Sequence, residues 1–278
     1  MRFPRLVHFP RNLRSIHTNI QPLNLYSKSP LIRPHNPPLS SDIRSSIAKP
    51  DDFLFWPNFF NVEESKILLS MALWKLDRVD STLKRRKKGK SSSISQNPVR
   101  VDELQSLFDR EYGFEDGHYD SVIHNYRETL LSSLPTSSSS NLKSTLAKLY
   151  SLLPNLPPFD QQNIPPEGTI THLLHLSPKG EILPHVDNLE ASGSVICGVS
   201  LGAERTLRLK MKDEEADGWD IKLTNGSVYL QRDSIRYNYE HSILPYSSAG
   251  SIWNDERLKE GHRISIMIRD TPSKPAEL

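Results

Sequence analysis

Arg205-Thr206-Leu207-Arg208-Leu209-Lys210-Met211-Lys212 alternates apolar and charged side chains over most of its length. Residues two apart on a β-strand project from the same face, so the leucines and the methionine predict one buried face. Other short segments, separated by turn signals, also fit strands. These are residues 170–176, 195–201, 221–224, 228–231, 236–244 and 263–269.

Many short strands at this spacing predict a mainly β fold with flanking helices (α+β). Its core over residues 169–272 is expected to be a double-stranded β-helix, the cupin-like jelly roll. Helical support is expected over residues 51–160. One helix begins at Asn61 as its cap and runs to Leu76, and others are expected near 118–134 and 142–153. With 278 residues and 36% hydrophobic content, the chain can bury one substantial core, so we predict a single domain over residues 46–278.

His185-Val186-Asp187 places an imidazole and a carboxylate two residues apart, a spacing that aligns them on one face of a strand. His241 follows in a later segment that can also be extended. Two imidazoles and one carboxylate hold Fe(II) while leaving roughly three positions open for a chelating keto acid and dioxygen. The alternative is a surface His–Asp pair and an unrelated structural histidine. The joint pattern favours a metal centre of His185, Asp187 and His241.

Arg263-Ile264-Ser265-Ile266-Met267-Ile268-Arg269 carries its isoleucines on one face and both arginines on the other. If the isoleucines pack on an outer layer, Arg263 and Arg269 point into the barrel. A buried guanidinium without a partner is costly, so an inward pair predicts a bound anion between them. Arginine matches a carboxylate with two parallel hydrogen bonds, which suits a short dicarboxylate.

Tyr229 follows an Asn225-Gly226 hairpin turn and shares a strand face with Ser227 and Gln231. Its phenol can hydrogen-bond a carboxylate inside the barrel. The alternative, a core aromatic with its hydroxyl on the backbone, stays open from sequence alone.

Several motifs together resemble the AlkB branch of the Fe(II)/2-oxoglutarate dioxygenases, most closely its mitochondrial homologue-seven branch. They span most of residues 51–272. The matching stretches are Tyr119-Asp120-x-Val122-Ile123, Tyr126-Arg127-Glu128, His172-Leu173-Leu174-x-Leu176, Pro184-His185-x-Asp187, Gly193-Ser194-x-Ile196-x-Gly198-x-Ser200-Leu201, Arg236-Tyr237 through to His241, and Gly261-x-Arg263-Ile264-Ser265.

The resemblance implies catalysis by the His–Asp–His set holding Fe(II), with dioxygen as oxidant. It implies that the two strand arginines, with Tyr229, hold 2-oxoglutarate as co-substrate. It also implies roles in regulated necrosis and fatty-acid metabolism.

The substrate is predicted to be a protein. AlkB proteins that repair nucleic acid carry an Asn-x-Tyr near the start of the barrel, and the comparable stretch here, residues 171–175, lacks that tyrosine. Residues 132–166 are rich in serine and proline with few aromatics, unlike a lid that grips a flipped base. Two alternatives remain: demethylation of mitochondrial RNA, or a regulatory module that binds 2-oxoglutarate without turnover.

The N-terminal composition predicts the mitochondrial matrix. Residues 1–41 contain no Asp or Glu but several arginines, which is typical of a transit peptide. We expect residues 1–45 to be this leader, the alternative being a disordered basic tail. No apolar run reaches the length of a membrane span. The lone Cys197 cannot form an internal disulfide, which fits a reducing compartment.

Net charge of +2 argues against a dedicated nucleic-acid binder without excluding one. The basic run 84–90 is expected to be a solvated insertion. The alternative is a contact with RNA or acidic lipid.

Overall fold

One antiparallel sheet dominates the computed structural model, which describes residues 21–35, 48–79, 104–135, 138–154, 156, 160, 163–189, 192–212 and 218–271. The strands are β1 Ile32–Pro34, β2 Phe53–Trp56, β3 Glu115–Gly117, β4 Ile123–Leu130, β5 Thr169–His185, β6 Val195–Gly202, β7 Arg205–Met211, β8 Gly218–Leu223, β9 Ser227–Arg232, β10 Tyr239–Ile243, β11 Ile252–Trp253, β12 Glu256–Arg257 and β13 Arg263–Asp270. The helices are α1 Val62–Val79, α2 Ser140–Tyr150 and α3 Asp233–Asn238.

The strand order is β1-β8-β7-β10-β5-β13-β6-β9-β2, with β4 also paired to β5 and β3 to β4. The long β5 joins the two halves of this sheet. Its first half pairs with β13, and its last residues pair with β10. The sheet curls on itself, so Leu209 and Ile221 from one half share an apolar cluster with Phe55 and Tyr229 from the other. The predicted jelly roll is confirmed.

The outer face of the β13 half packs against helices. Ile264, Ile266 and Ile268 lie fully buried in one cluster with Leu68 of α1 and Leu146 of α2. Met267, between two of these isoleucines, packs instead against the interior cluster. The predicted division of this strand into an outer apolar face and an inner face is therefore confirmed.

Helix α1 begins where the sequence predicts. Asn61 Oδ1 accepts a hydrogen bond from the backbone N–H of Glu64 (2.9 Å), and Glu64 Oε2 accepts one from the backbone N–H of Asn61 (2.9 Å). This reciprocal pair satisfies two amides that a helix start otherwise leaves free. The expected helix at 142–153 corresponds to α2.

The expected helix at 118–134 is wrong, because this segment forms most of the β3–β4 hairpin. Tyr126 and Glu128 share the inner face of β4, whereas Arg127 points to the other side, a period of two that fits a strand. Pairing with β5 supplies backbone partners that the local sequence does not reveal. The expected strand 236–244 is also shorter, since residues 233–238 form α3.

Residues 21–35 fall inside the range assigned to a leader or tail, yet the structure packs them on the sheet. Ile32 pairs with Ile221 of β8, and Leu25 and Ile32 are buried in the interior cluster. Arg33 donates to the carboxylate of Asp220. The folded domain therefore begins before residue 46, which revises the predicted boundary.

The basic run 84–90 lies outside the described residues. Among the described residues, no helix combines the length and apolar character that crossing a bilayer requires.

Candidate metal and co-substrate site

His185 and His241 are paired directly across two neighbouring strands. β5 ends at His185, β10 carries His241, and the two are Cα partners in the ladder. Their ring centroids lie 4.2 Å apart. Opposite residues on one face have Cβ atoms about 5 Å apart, so strand register alone brings the two imidazoles together.

Asp187 completes the candidate ligand set from the loop after β5. Its Oδ1 lies 3.2 Å from Nε2 of His185 and 3.6 Å from Nε2 of His241. One ligand atom from each residue lies within 4.8 Å of the others. Bonds of about 2.1 Å at right angles place ligand atoms about 3 Å apart, so one ion fits among the three. Because β5 ends before Asp187, the aspartate reaches the site from a loop and not from the strand predicted.

Each of the two imidazoles can offer a nitrogen lone pair to a metal ion. Nδ1 of His185 lies 2.9 Å from the carbonyl oxygen of Leu183, to which it donates, so Nε2 turns its lone pair to the site. Burial lowers the pKa of His241 to about 3, which keeps that ring neutral. Burial alone would lower the pKa of His185, but the Asp187 carboxylate, to which a protonated Nε2 donates, raises it overall. The centre therefore favours a positive charge beside His185, which a metal cation would supply in place of a proton.

The Asp187 carboxylate is buried and flanked by arginines. Arg269 Nε donates to its Oδ2 over 2.6 Å, and Arg236 Nη1 donates to its backbone carbonyl oxygen over 3.1 Å. Burial would raise the pKa of Asp187, but His185, His241 and Arg269 hold it well below its ordinary value. The carboxylate is therefore ionised, as a metal ligand must be.

Arg263 is a buried cation with few partners. It is 1% exposed, and the only hydrogen bond from its side chain to a described residue runs from Nε to Ser200 Oγ at 2.9 Å. No carboxylate of the described residues lies within ion-pair distance of it. Burial lowers its pKa to about 10, so the guanidinium still carries its charge at neutral pH. A carboxylate-bearing ligand fits this cation, because it would supply the missing counter-charge.

Tyr229 lies on the inner face of β9, stacked on Phe53 with ring centroids 6.1 Å apart. Its hydroxyl donates to the Met267 sulfur over 3.3 Å, a weak acceptor, and not to the backbone. Gly198 faces it across the ladder, and any Cβ at Gly198 would collide with the tyrosine ring. Burial raises the pKa of Tyr229 to about 12, so the phenol remains a donor.

The two strand arginines do not lean toward each other. Arg263 contacts Ser200, and Arg269 contacts Asp187. The inner face of β13 thus has one cation at the candidate metal centre and another deeper in the barrel, with Met267 between them.

Sequence reasoning assigned no role to several polar side chains around this centre. Arg236 contacts the Asp187 loop, and His172 lies on β5 opposite Met267. Burial and the nearby Arg269 lower the pKa of His172 to about 4. Arg236 and His172 occur in the resemblance motifs, but only folding shows what they touch.

The β3–β4 hairpin stands beside the end of β5, since the backbone N–H of Leu183 donates to the Val122 carbonyl over 2.8 Å. His118 bridges two of its acids, with Nδ1 2.8 Å from Asp120 Oδ1 and Nε2 3.6 Å from Glu128 Oε1. The other Glu128 oxygen lies 4.0 Å from His172 Nδ1. The wall beside the candidate site is therefore acidic.

A family described as the 2OG-Fe(II) oxygenase superfamily matches residues 53–269. Two curated relatives carry the name "Alpha-ketoglutarate-dependent dioxygenase alkB homolog 7, mitochondrial". The Bos taurus protein is 32% identical over 166 residues, which cover 59% of this chain and 68% of the relative. The Mus musculus protein is 32% identical over 163 residues, with the same two coverages.

Among solved structures, a Pseudomonas putida prolyl-4-hydroxylase aligns with a TM-score of 0.43 and 10% identity, covering 80% of this chain and 93% of that one.

Proposed function

The chain belongs to the 2OG-Fe(II) oxygenase superfamily, and we propose that His185, Asp187 and His241 bind its iron. It is an AlkB-like dioxygenase that depends on Fe(II), 2-oxoglutarate and dioxygen. The observation that carries this proposal is the convergence of these three ligand atoms within 4.8 Å. These residues would hold one side of the ion, which would leave the other side for co-substrate and oxygen.

Arg263 and Tyr229 are proposed to bind the far carboxylate of 2-oxoglutarate. The support is a buried guanidinium without a carboxylate partner among the described residues, beside a phenol bonded only to a thioether. Arg269 is proposed to act at the metal end of the same molecule, because it already contacts Asp187.

When bound, iron and 2-oxoglutarate supply an oxidation by dioxygen that releases succinate and carbon dioxide. The residues around them supply positioning. Arg269 holds the Asp187 carboxylate ionised and oriented, while the Leu183 carbonyl fixes the tautomer of His185. The apolar interior cluster excludes water from the deep end of the barrel.

Succinate release by purified protein supplied with Fe(II), 2-oxoglutarate and dioxygen tests this assignment. His185→Ala should abolish release and metal binding together. His35→Ala is the matched control, since the backbone N–H of His35 donates to Gly218 at the start of β8, two strands from the His241 strand β10 in the sheet order. Equal turnover by His185→Ala and the wild type would reject the iron assignment.

The proposed substrate is a protein of the mitochondrial matrix, and the proposed roles are in regulated necrosis and fatty-acid metabolism. The compartment is supported by the names of the two mammalian relatives and by the leader-like composition of the N-terminus. A protein substrate is supported by the acidic wall, where Asp120 and Glu128 would repel a phosphate backbone.

Matrix extract added to the assay separates the substrate classes. Stimulation of succinate release that survives ribonuclease and is lost after protease supports a protein substrate. The reverse pattern would favour RNA demethylation. Metal and 2-oxoglutarate binding without any turnover would favour the regulatory module.

A further inference from the structure

Arg236 is a buried arginine that reaches from α3 to the loop carrying Asp187. Arg236 is 2% exposed, and its Nη1 donates to the Asp187 backbone carbonyl over 3.1 Å. Nη2 donates to Ser192 Oγ over 2.6 Å. Asp187 and Ser192 both lie in the loop between β5 and β6, so the guanidinium links the start of that loop to a later part of it.

The charge of Arg236 is poorly compensated at this position. No carboxylate of the described residues lies within ion-pair distance of it, and its buried Nε has no hydrogen-bond partner. Burial lowers its pKa, and the opposing charge with the largest effect on that pKa is Asp187. A buried guanidinium in such surroundings costs stability, which points to a role other than holding the fold together.

The far end of the same loop has its own tether. The Asp270 carboxylate accepts hydrogen bonds from the backbone N–H groups of Ser194 (3.0 Å) and Val195 (2.9 Å). The Asp270 carbonyl accepts another from the N–H of Gly193 at 2.7 Å. Because that end is held independently, the bond from Arg236 acts mainly on the segment next to Asp187.

Two arginines therefore hold Asp187 by different atoms: Arg269 binds the carboxylate, and Arg236 binds the backbone. α3 leads directly into β10, which carries His241. Arg236 thus connects the helix that precedes the His241 strand to the backbone of Asp187. We propose that Arg236 is a positioning residue that sets Asp187 relative to His241 for metal binding. This inference rests on the proposed iron site.

Removing a residue that orients a metal ligand typically weakens metal affinity about 10- to 100-fold. Arg236→Gln should lose affinity in this range, and Arg236→Lys should lose less because one bond can re-form. Ser192→Ala removes the second bond together with the bond from Ser192 Oγ to the Asn188 carbonyl (3.0 Å), and should cost several-fold. Arg232→Gln is the matched control, since Arg232 Nε also donates to a backbone carbonyl, that of Asp51 (2.9 Å), outside the loop.

The experiment titrates purified metal-free protein with Co(II) by calorimetry and records the visible spectrum of bound cobalt. Urea unfolding of each metal-free variant measures stability separately. Weaker cobalt binding with an altered spectrum in Arg236→Gln, beside an unchanged Arg232→Gln, supports the inference. Unfolding at lower urea with wild-type affinity and spectrum overturns it, because the role is then only structural.

If Arg236→Gln does not fold, Ser192→Ala and Arg236→Lys decide: wild-type cobalt affinity and spectrum in both reject the proposal. Failure of the iron site itself gives a different result. In that case the wild type does not bind cobalt, or His185→Ala binds it equally well.

Discussion

The side chains on the two faces of β13 are buried for different reasons. On the outer face, three isoleucines are fully buried against α1 and α2, and packing accounts for them. On the inner face, the Arg263 side chain is buried just as deeply but makes one hydrogen bond within the described residues, to Ser200. One strand therefore carries an outer face that packing explains and an inner face whose buried cation fits the anionic ligand proposed for it.

The largest expected effect is on 2-oxoglutarate affinity and comes from the inner face. Arg263→Met should weaken 2-oxoglutarate affinity by about 100-fold or more, because an anion loses its buried cationic partner. The same change should leave the unfolding free energy of ligand-free protein unchanged or raised, since it removes a poorly compensated buried charge. Calorimetric titration with 2-oxoglutarate and urea unfolding measure the two quantities.

Arg208→Met is the control for this prediction. Arg208 binds both oxygens of Asp220 (2.7 and 3.1 Å), so breaking that pair should destabilise the fold without changing 2-oxoglutarate affinity. Comparable instability in Arg263→Met with normal affinity would erase the contrast between the faces.

Ile266→Ala tests the outer face. Truncating a fully buried isoleucine should lower the unfolding free energy by about 2–5 kcal/mol, and Ile266→Val by about 0.5–1.5 kcal/mol. The affinity of the folded variants for 2-oxoglutarate should match the wild type. A matching loss of affinity would mean that the two faces are not independent.

Tyr229→Phe tests the second residue proposed to bind the far carboxylate of 2-oxoglutarate. Loss of one hydroxyl donor should weaken 2-oxoglutarate binding by about 1 kcal/mol, or roughly fivefold, with little change in stability. Gly198→Ala displaces the same ring by collision and should weaken binding with an added stability cost of about 1–3 kcal/mol. Unchanged affinity in both variants would remove Tyr229 from the co-substrate site.

The smallest effect concerns His172 at the edge of the inner face. Burial and Arg269 lower its folded-state pKa to about 4 from 6.5, so the folded protein keeps it neutral while the unfolded chain takes up a proton. The unfolding free energy should therefore fall as the pH drops from about 6.5 to about 4. Since the side chain is 33% exposed, solvent screening limits this term to on the order of 1 kcal/mol.

His172→Gln should reduce the slope of stability against pH in that window. Parallel profiles for the variant and the wild type, measured by urea unfolding at each pH without metal, would contradict this assignment.

Local pattern was enough to predict the faces of β13 and the cap of α1, because each depends on spacing along one segment. It also offered the candidate ligands by residue type, but the meeting of His241 with His185 depends on the register of β10 against β5. It failed where partners are distant in sequence. The segment 118–134 is a strand because β5 offers it hydrogen bonds, and short α3 replaces part of an expected strand. The role proposed for Arg236 depends on a carbonyl 49 positions away, which no local pattern encodes.

The pairing of β1 with β8 bears on protein maturation. If a protease removes an N-terminal leader, a cut after residue 35 would strip β1 from the sheet, although the sequence alone made residue 45 a reasonable end for that leader. Trp219 and Ile221 would then lie along a bare β8 edge, where another chain could add a strand. A cut upstream of residue 21 keeps that edge covered, so the cleavage position would decide whether the mature protein is prone to self-association.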